Sequence, residues 1–487
     1  VAAFTASQVG ELRPEAMTGF DSSQVAALRP AAFGQFDSEQ LGAMSPKAMK
    51  GFDNKKLGAL SPAAMAGLRP QQMRQMPPAA MAGMTAEQMS FMSPDALNVF
   101  RANQVEALSP GAFSELGPQQ FGALSPAAVA GISPQQIRRT PAAAMSQMSS
   151  QQVGRLSADA MARVNADQLE AIPAASLAGL RAAQVEEMSA RAFAGIQPDQ
   201  VGALPVKAMR GLEPGQLGAM QPRAIGAMSA QQLRQVPAET VAGMKPDQVA
   251  ALSREVLGAM KPSQAAELTQ RAVGALQRGQ VGALKPAAVG DLSARQLGAI
   301  DAAAMKGVTG AQFRQIAPAD IDALSVAQVS AMQTSVFEAM RPSQAAELSQ
   351  RAVGALEKAQ IAALAPAAVG ELSAGQISAI DPAAVAGIDA EQIEEIPTEL
   401  IDAITPEQVA ELQPDTLAGL TDDQLGELSE DQAEALSLVQ VNALTQDQID
   451  ALEPDVAEIV TETSVDFTAA TAAAEAAAAE KAAAEAA

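Results

Sequence analysis

The chain has 487 residues without a Cys, His, Trp or Tyr, and its 55 Asp and Glu outweigh 32 Lys and Arg for a formal net charge of −23. Disulfides, imidazole or thiolate metal sites and haem ligation are thereby excluded, and with them the commonest general base; chemistry would fall to carboxylates, Lys, Arg or Ser. No run of about 18 apolar residues occurs, so no membrane span is predicted, and the opening Val1 in place of Met reads as a processed form.

From Thr5 to about Val460 the sequence is a tandem of eight-residue units, such as Thr405-Pro406-Glu407-Gln408-Val409-Ala410-Glu411-Leu412, with nothing inserted or deleted along the way. The first slot is often Ser, Thr, Asp or Asn, whose side-chain oxygens cap helix N-termini. All thirty prolines fall in slot two or, at Pro77, Pro141, Pro173, Pro205, Pro237 and Pro397, in slot one. Proline suits a first helical turn and costs about 3 kcal/mol in a helix interior, so one long helix is ruled out. Slots five and eight hold Leu, Met, Val, Ile or Phe almost throughout. A spacing of three suits one helical face, where a strand would alternate by two. Glycine clusters in slots six and seven, as at Gly67 and Gly83, where a short helix must end and turn. Each octad is predicted to be a cap, about a turn and a half of helix, and a tight corner.

Neighbouring octads differ in slot four. Gln stands at 8, 24 and 40, then every sixteen residues from Gln72 to Gln440, with Lys56 the exception; the alternate column reads Ala16, Ala32, Ala48, Ala64, Ala80 and loosens at Asp320, Val336 and Leu400. The expected fold is therefore an all-α, regular α-solenoid of very short helices, with sixteen residues (two capped octads) per coil and about 28 coils, each packed on its neighbours. One coil offers about four large apolar side chains at roughly 1.5–3 kcal/mol each, against about 1–2 kcal/mol of ordering cost per residue. No coil folds alone, and stacking must supply the difference, with Ala and Gly allowing close approach.

A capping box, with Gln reaching back to the slot-one N–H, accounts for one Gln but not for its alternation with Ala. The expectation is a buried or half-buried structural ladder of Gln72, Gln88, Gln104, Gln120, Gln136, Gln152, Gln168, Gln184, Gln200, Gln216, Gln232 and Gln248, each amide bonding backbone groups of the next coil. Near the N-terminus, Phe4, Phe20, Phe36 and Phe52 share one column at sixteen-residue spacing. They read as stacked core rings, with an N-terminal assembly seam as the other reading, since no polar cap precedes them.

Residues 1–460 thus form one continuous repeat region. Through Lys358 it holds 31 Lys and Arg against 28 Asp and Glu, whereas from Ala359 to the end 27 acidic residues face only Lys481. Self-repulsion should keep that end soluble and argues against nucleic acid there. The scattered basic residues elsewhere lack aromatic interleaving, so no nucleic-acid partner is predicted. Residues 461–467 leave the repeat, and 468–487 form an Ala/Glu-rich helical tail or linker.

The acidic run from Thr421 to Asp431 does not follow the calcium-loop pattern. It reads as a solvated face, with weak divalent cation binding at this C-terminal region left open. Glu394 and Glu395 imply no pocket, and the glycines follow no phosphate-loop spacing. No enzyme, catalytic residue, metal site or cofactor is predicted.

Ile404-Thr-Pro-Glu-Gln-Val-Ala-Glu-Leu412 and Leu420-Thr-Asp-Asp-Gln-Leu-Gly-Glu-Leu428 resemble the tandem LTPEQVAAL octapeptides of long secreted or surface-displayed repeat proteins of microbes. The likeness covers nearly the whole chain and carries over no catalytic residues; Arg13, Arg29 and Arg69 depart from it in the cap slot. It implies an extracellular or cell-surface structural or adhesive role. The expectation is a non-enzymatic rod that self-associates as a homopolymer into a filament, sheath or adhesin stalk. The alternative is a monomeric scaffold that binds peptides or glycans along its side.

Overall fold

The computed structural model describes residues 4–462. Among these the chain is helical without a strand, and between Ala6 and Asp450 every helix is four to six residues long. Each starts on a slot-one residue with extended backbone. Where that residue is Ser, Thr, Asp or Asn its side-chain oxygen usually accepts from the slot-four N–H, as Asp37 does from Gln40 at 2.7 Å, satisfying one of the donors a helix start leaves open. Proline follows in slot two, where its missing N–H costs nothing.

The corner is made by two successive extended residues, slot eight of one octad and slot one of the next. Leu60 has φ −62° and ψ 142°, and Ser61 has φ −64° and ψ 146°. Slot eight therefore lies past the helix end, not on the helical face the spacing suggested, and is buried all the same: Leu60 is 3% and Leu68 2% exposed. No described residue, glycine included, has positive φ. The glycines are thus not there to turn the chain. A Cβ on Gly67 would run into the Ser38 carbonyl, and one on Gly83 into the Asn54 carbonyl, so glycine is required by the close approach of a helix start 29 residues earlier.

The described residues fall into two compact units that divide between Ala259 and Met260. In the first, helix Pro70–Gln75 packs between Pro46–Gly51 and Pro94–Asn98; in the second, Pro406–Glu411 packs between Pro382–Val385 and Glu430–Glu434. These partners start 24 residues away, three octads before and three after, and the same spacing recurs through both units. A sixteen-residue coil stacked on the next coil does not describe this packing. Sixteen is the period of the sequence, while the neighbour in space lies three octads along the chain. Slots four, five and eight fill the interior of each unit, with Ala64 and Met65, for example, fully buried.

Replacing Gly67 or Gly83 by Ala should cost about 1–3 kcal/mol, because backbone and not a pliable side chain must yield. Gly19→Ala, whose Cβ would stand 3.7 Å from the Ala16 carbonyl, should be near neutral. Hydrogen exchange of the octads facing each site reads the difference, and equal protection in all three variants would contradict it.

Candidate functional site

The chemistry that recurs in this molecule is that of a primary amide, and the helices themselves place it. Slot four is the third residue of a helix, so a Gln there can turn its side chain back toward slot one. Its Oε1 accepts from the slot-one N–H: Arg69 to Gln72 at 2.7 Å, Ser133 to Gln136 at 2.7 Å, Glu213 to Gln216 at 2.9 Å. The Nε2 then points away and donates to two carbonyls of the helix four octads earlier, 31 and 28 residues back in the chain. Gln72 reaches Leu41 and Met44 at 2.8 Å each, Gln104 reaches Met73 and Met76, Gln136 reaches Val105 and Leu108, and Gln216 reaches Val185 and Met188. Those carbonyls belong to slots five and eight: the first also accepts from the slot-eight N–H, as Leu41 does from Met44 at 3.3 Å, and the second lies past the helix end, where acceptors have no intrahelical partner. One side chain thus satisfies the start of its own helix and the end of another.

The same pair of bonds is made by Gln88, Gln120, Gln152, Gln168, Gln184, Gln200, Gln232 and Gln248. All twelve named Gln residues are buried except Gln120, which is half-buried. In the second unit Gln312, Gln328, Gln344, Gln408 and Gln440 do likewise. In the alternate column, Ser176, Thr240 and Thr416 reach the carbonyl 28 residues back with a hydroxyl, at 2.5–2.7 Å. The alternate octads therefore lie within a short side chain's reach of the helix that Gln spans elsewhere. Gln432 stands in that column and still makes both bonds.

A further feature follows from the slot-one N–H. Slot-one proline, which lacks that donor, is confined to the alternate octads, at Pro77, Pro141, Pro173, Pro205, Pro237 and Pro397. Arginine in slot one caps a different helix end: Arg101, Arg181 and Arg341 donate through Nη2 to Met76, Leu156 and Ile316, 25 residues back. These arginines cannot supply the oxygen a cap needs, yet the slot-eight carbonyl they reach is the one that Gln Nε2 shares.

Lys56 breaks the column. Its ammonium turns back to the Asp53 carboxylate, the one ion pair among the described residues, and that hydrogen bond holds the Asp53 carboxyl below its ordinary range. The four N-terminal phenylalanines do not stack on one another. Phe36 and Phe52 are buried, Phe20 is half-buried, and Phe4 is 39% exposed. The ring that joins the buried pair is Phe33, edge-on to Phe36 at 5.2 Å and to Phe52 at 5.1 Å. Rings sixteen residues apart are not neighbours when helices pack at 24.

Glu394, Glu395, Asp422, Asp423, Glu427, Glu430 and Asp431 are exposed, and among the described residues no group of three or more carboxylates is placed to hold a metal ion. No described helix is long and apolar enough to cross a membrane. A small apolar cavity of about 10 Å³ lies among Val369, Ile388, Ile404 and their neighbours, and the Gln408 amide on its wall already donates to Ile377 and Ile380. An open cleft of about 590 Å³ runs past Ser90, Met92, Gly117, Gln119 and Gln147. The fold and its recurring amide bonds define the class, an all-helical repeat protein. The chain matches no protein-family model, and a comparison with curated proteins finds no match.

Gln216→Ala and Gln248→Ala each strand one buried slot-eight carbonyl, Met188 or Met220, and a helix-start N–H, at about 1–3 kcal/mol for each such group, while the slot-five carbonyl keeps its bond from the slot-eight N–H. The melting midpoint of the chain should fall, and the Glu213 or Lys245 amide should lose protection; an unchanged midpoint would refute a structural role. Lys56→Gln is expected to act oppositely, since the new amide can reach the Val25 and Leu28 carbonyls. Asp53 should then also lose its depressed pKa. In the wild type that carboxylate contributes stability present above its unfolded pKa, near pH 4, and lost as pH falls through the lower folded value. Acid titration of the two proteins below about pH 4 should therefore show a shallower loss for Lys56→Gln.

Proposed function

We propose that this chain is a non-enzymatic structural protein, an elongated α-solenoid that assembles with copies of itself, by end-to-end or lateral contacts, into an extracellular filament, sheath or adhesin stalk. The observation that carries this reading is the reach of the bonding. Within each unit helices pack at three octads and exchange amide hydrogen bonds at four, so an octad there is tied to the chain a short way before and after it. Under this reading a solenoid turn takes three to four octads and order propagates along one axis. The octapeptide resemblance supports the extracellular location, and the buried Gln amides, such as Gln72 and Gln216, are committed to backbone bonds.

A second reading, a monomeric scaffold that binds peptides or glycans along its side, draws on one place. Phe91 is 48% exposed next to the cleft past Ser90 and Met92, whose wall carries the amides of Gln119 and Gln147.

Electron microscopy of the purified chain distinguishes the two. Filaments with a regular axial repeat are the expected outcome, and isolated single particles at all concentrations and salt strengths would favour the scaffold.

A further inference from the structure

Charged side chains of the described residues scarcely pair with one another. Of 32 Lys and Arg and 55 Asp and Glu, the described residues hold a single ion pair, Lys56 to Asp53. Charge is also segregated by position. No acidic residue occurs between Glu115 and Asp159, and no basic one between Lys358 and Lys481.

The octad register decides which of these charges meet. A slot-six side chain lies beside the slot-seven side chain 25 residues later: Arg210 Nε donates to Gln235 Oε1 at 2.8 Å, and a Cβ at Gly122 would stand 2.8 Å from the Cβ of Gln147. Arg138 and Arg163 occupy that pair of positions, with Arg139 adjacent, and all three are exposed. Arg138 and Arg139 form the wall of an open cleft of about 390 Å³ with Pro110 and Gln135. Asp402 and Glu427 occupy the same two slots in the second unit, also 25 residues apart and exposed, with Glu394 and Asp423 on the same stretch. One repeat geometry therefore presents a guanidinium set in one unit and a carboxylate set in the other. Guanidinium and carboxylate planes match as bidentate partners.

We propose that the Arg138, Arg139 and Arg163 patch is an interaction surface for a second copy of this chain, which docks through its Asp402 and Glu427 face. The proposal rests on the self-association reading and names its contact. Unlike patches that meet head to tail leave one of each kind free, so the contact can propagate. Electrostatic complementarity sets partner choice and register, and salt screens it.

The test is sedimentation velocity of the full chain at about 20 mM and about 500 mM salt, where the screening length differs several-fold. The wild type should associate at low salt and dissociate at high salt. Arg138→Glu/Arg139→Glu/Arg163→Glu should weaken association by about tenfold or more, as should Asp402→Arg/Glu427→Arg, and an equimolar mixture of the two variants should recover it. Circular dichroism melting of each variant separates loss of contact from loss of fold. Wild-type-like assembly of the arginine variant overturns this surface while self-assembly stands. A wild type that is monomeric at both salt strengths overturns both. A wild type that binds dextran sulfate through these arginines but not itself gives the patch to a polyanion and overturns the proposal.

Discussion

A helix of four to six residues has hardly any internal hydrogen bonding, because its first N–H groups and its last C=O groups lack partners within it. This chain repeats that problem from end to end and answers it with one side chain. The slot-four amide carries an acceptor and a donor on the same carbon. Its oxygen closes the start of its own helix while its nitrogen closes the end of the helix four octads earlier, as Gln72 does with Arg69, Leu41 and Met44. Deleting a residue between the two helices would misplace both Nε2 bonds at once, those to Leu41 and Met44 for Gln72, which gives a physical reason for a period without gaps.

The second constraint is distance. A Gln side chain, or in the alternate column a Ser or Thr hydroxyl, bridges backbones four octads apart, and helices three octads apart come close enough that Gly67 and Gly83 admit no Cβ. The interior of each unit is then built of alanine beside Leu, Met, Ile and Val, with the amides buried among them. Such an interior is satisfied by its own backbone. What remains to distinguish one stretch from another is the outside, where charge is sorted along the chain and, Lys56 with Asp53 apart, forms no ion pair among the described residues.

Much of this was legible beforehand. Caps, prolines and apolar slots are local signals, read over a few residues, and they placed the helices and the buried positions. The dual bonding of Gln had a trace as well. Slot-one proline avoids the Gln octads because the Gln oxygen needs the N–H that proline lacks. Of the two tasks expected of glycine, close approach and turning, the structure shows the first: the corner is two extended residues such as Leu60 and Ser61, and glycine answers a contact with distant backbone. The Phe column misled. Its sixteen-residue spacing is a repeat of composition, and Phe33, outside the column, makes the ring contacts.

The sequence by itself determined the octad, its capped short helix, its buried slots and the alternation of two octad kinds, because each of these follows from the chemistry of a few adjacent residues. Only the tertiary structure decided which octads meet. Partners three octads apart are of opposite kind and those four apart are of the same kind, so an alternating sequence presents the same two interfaces at every step; packing at two octads would have kept that alternation equally well. The choice between them lies in the angle through which each extended corner turns the chain, and that angle adds up over several corners before two helices touch.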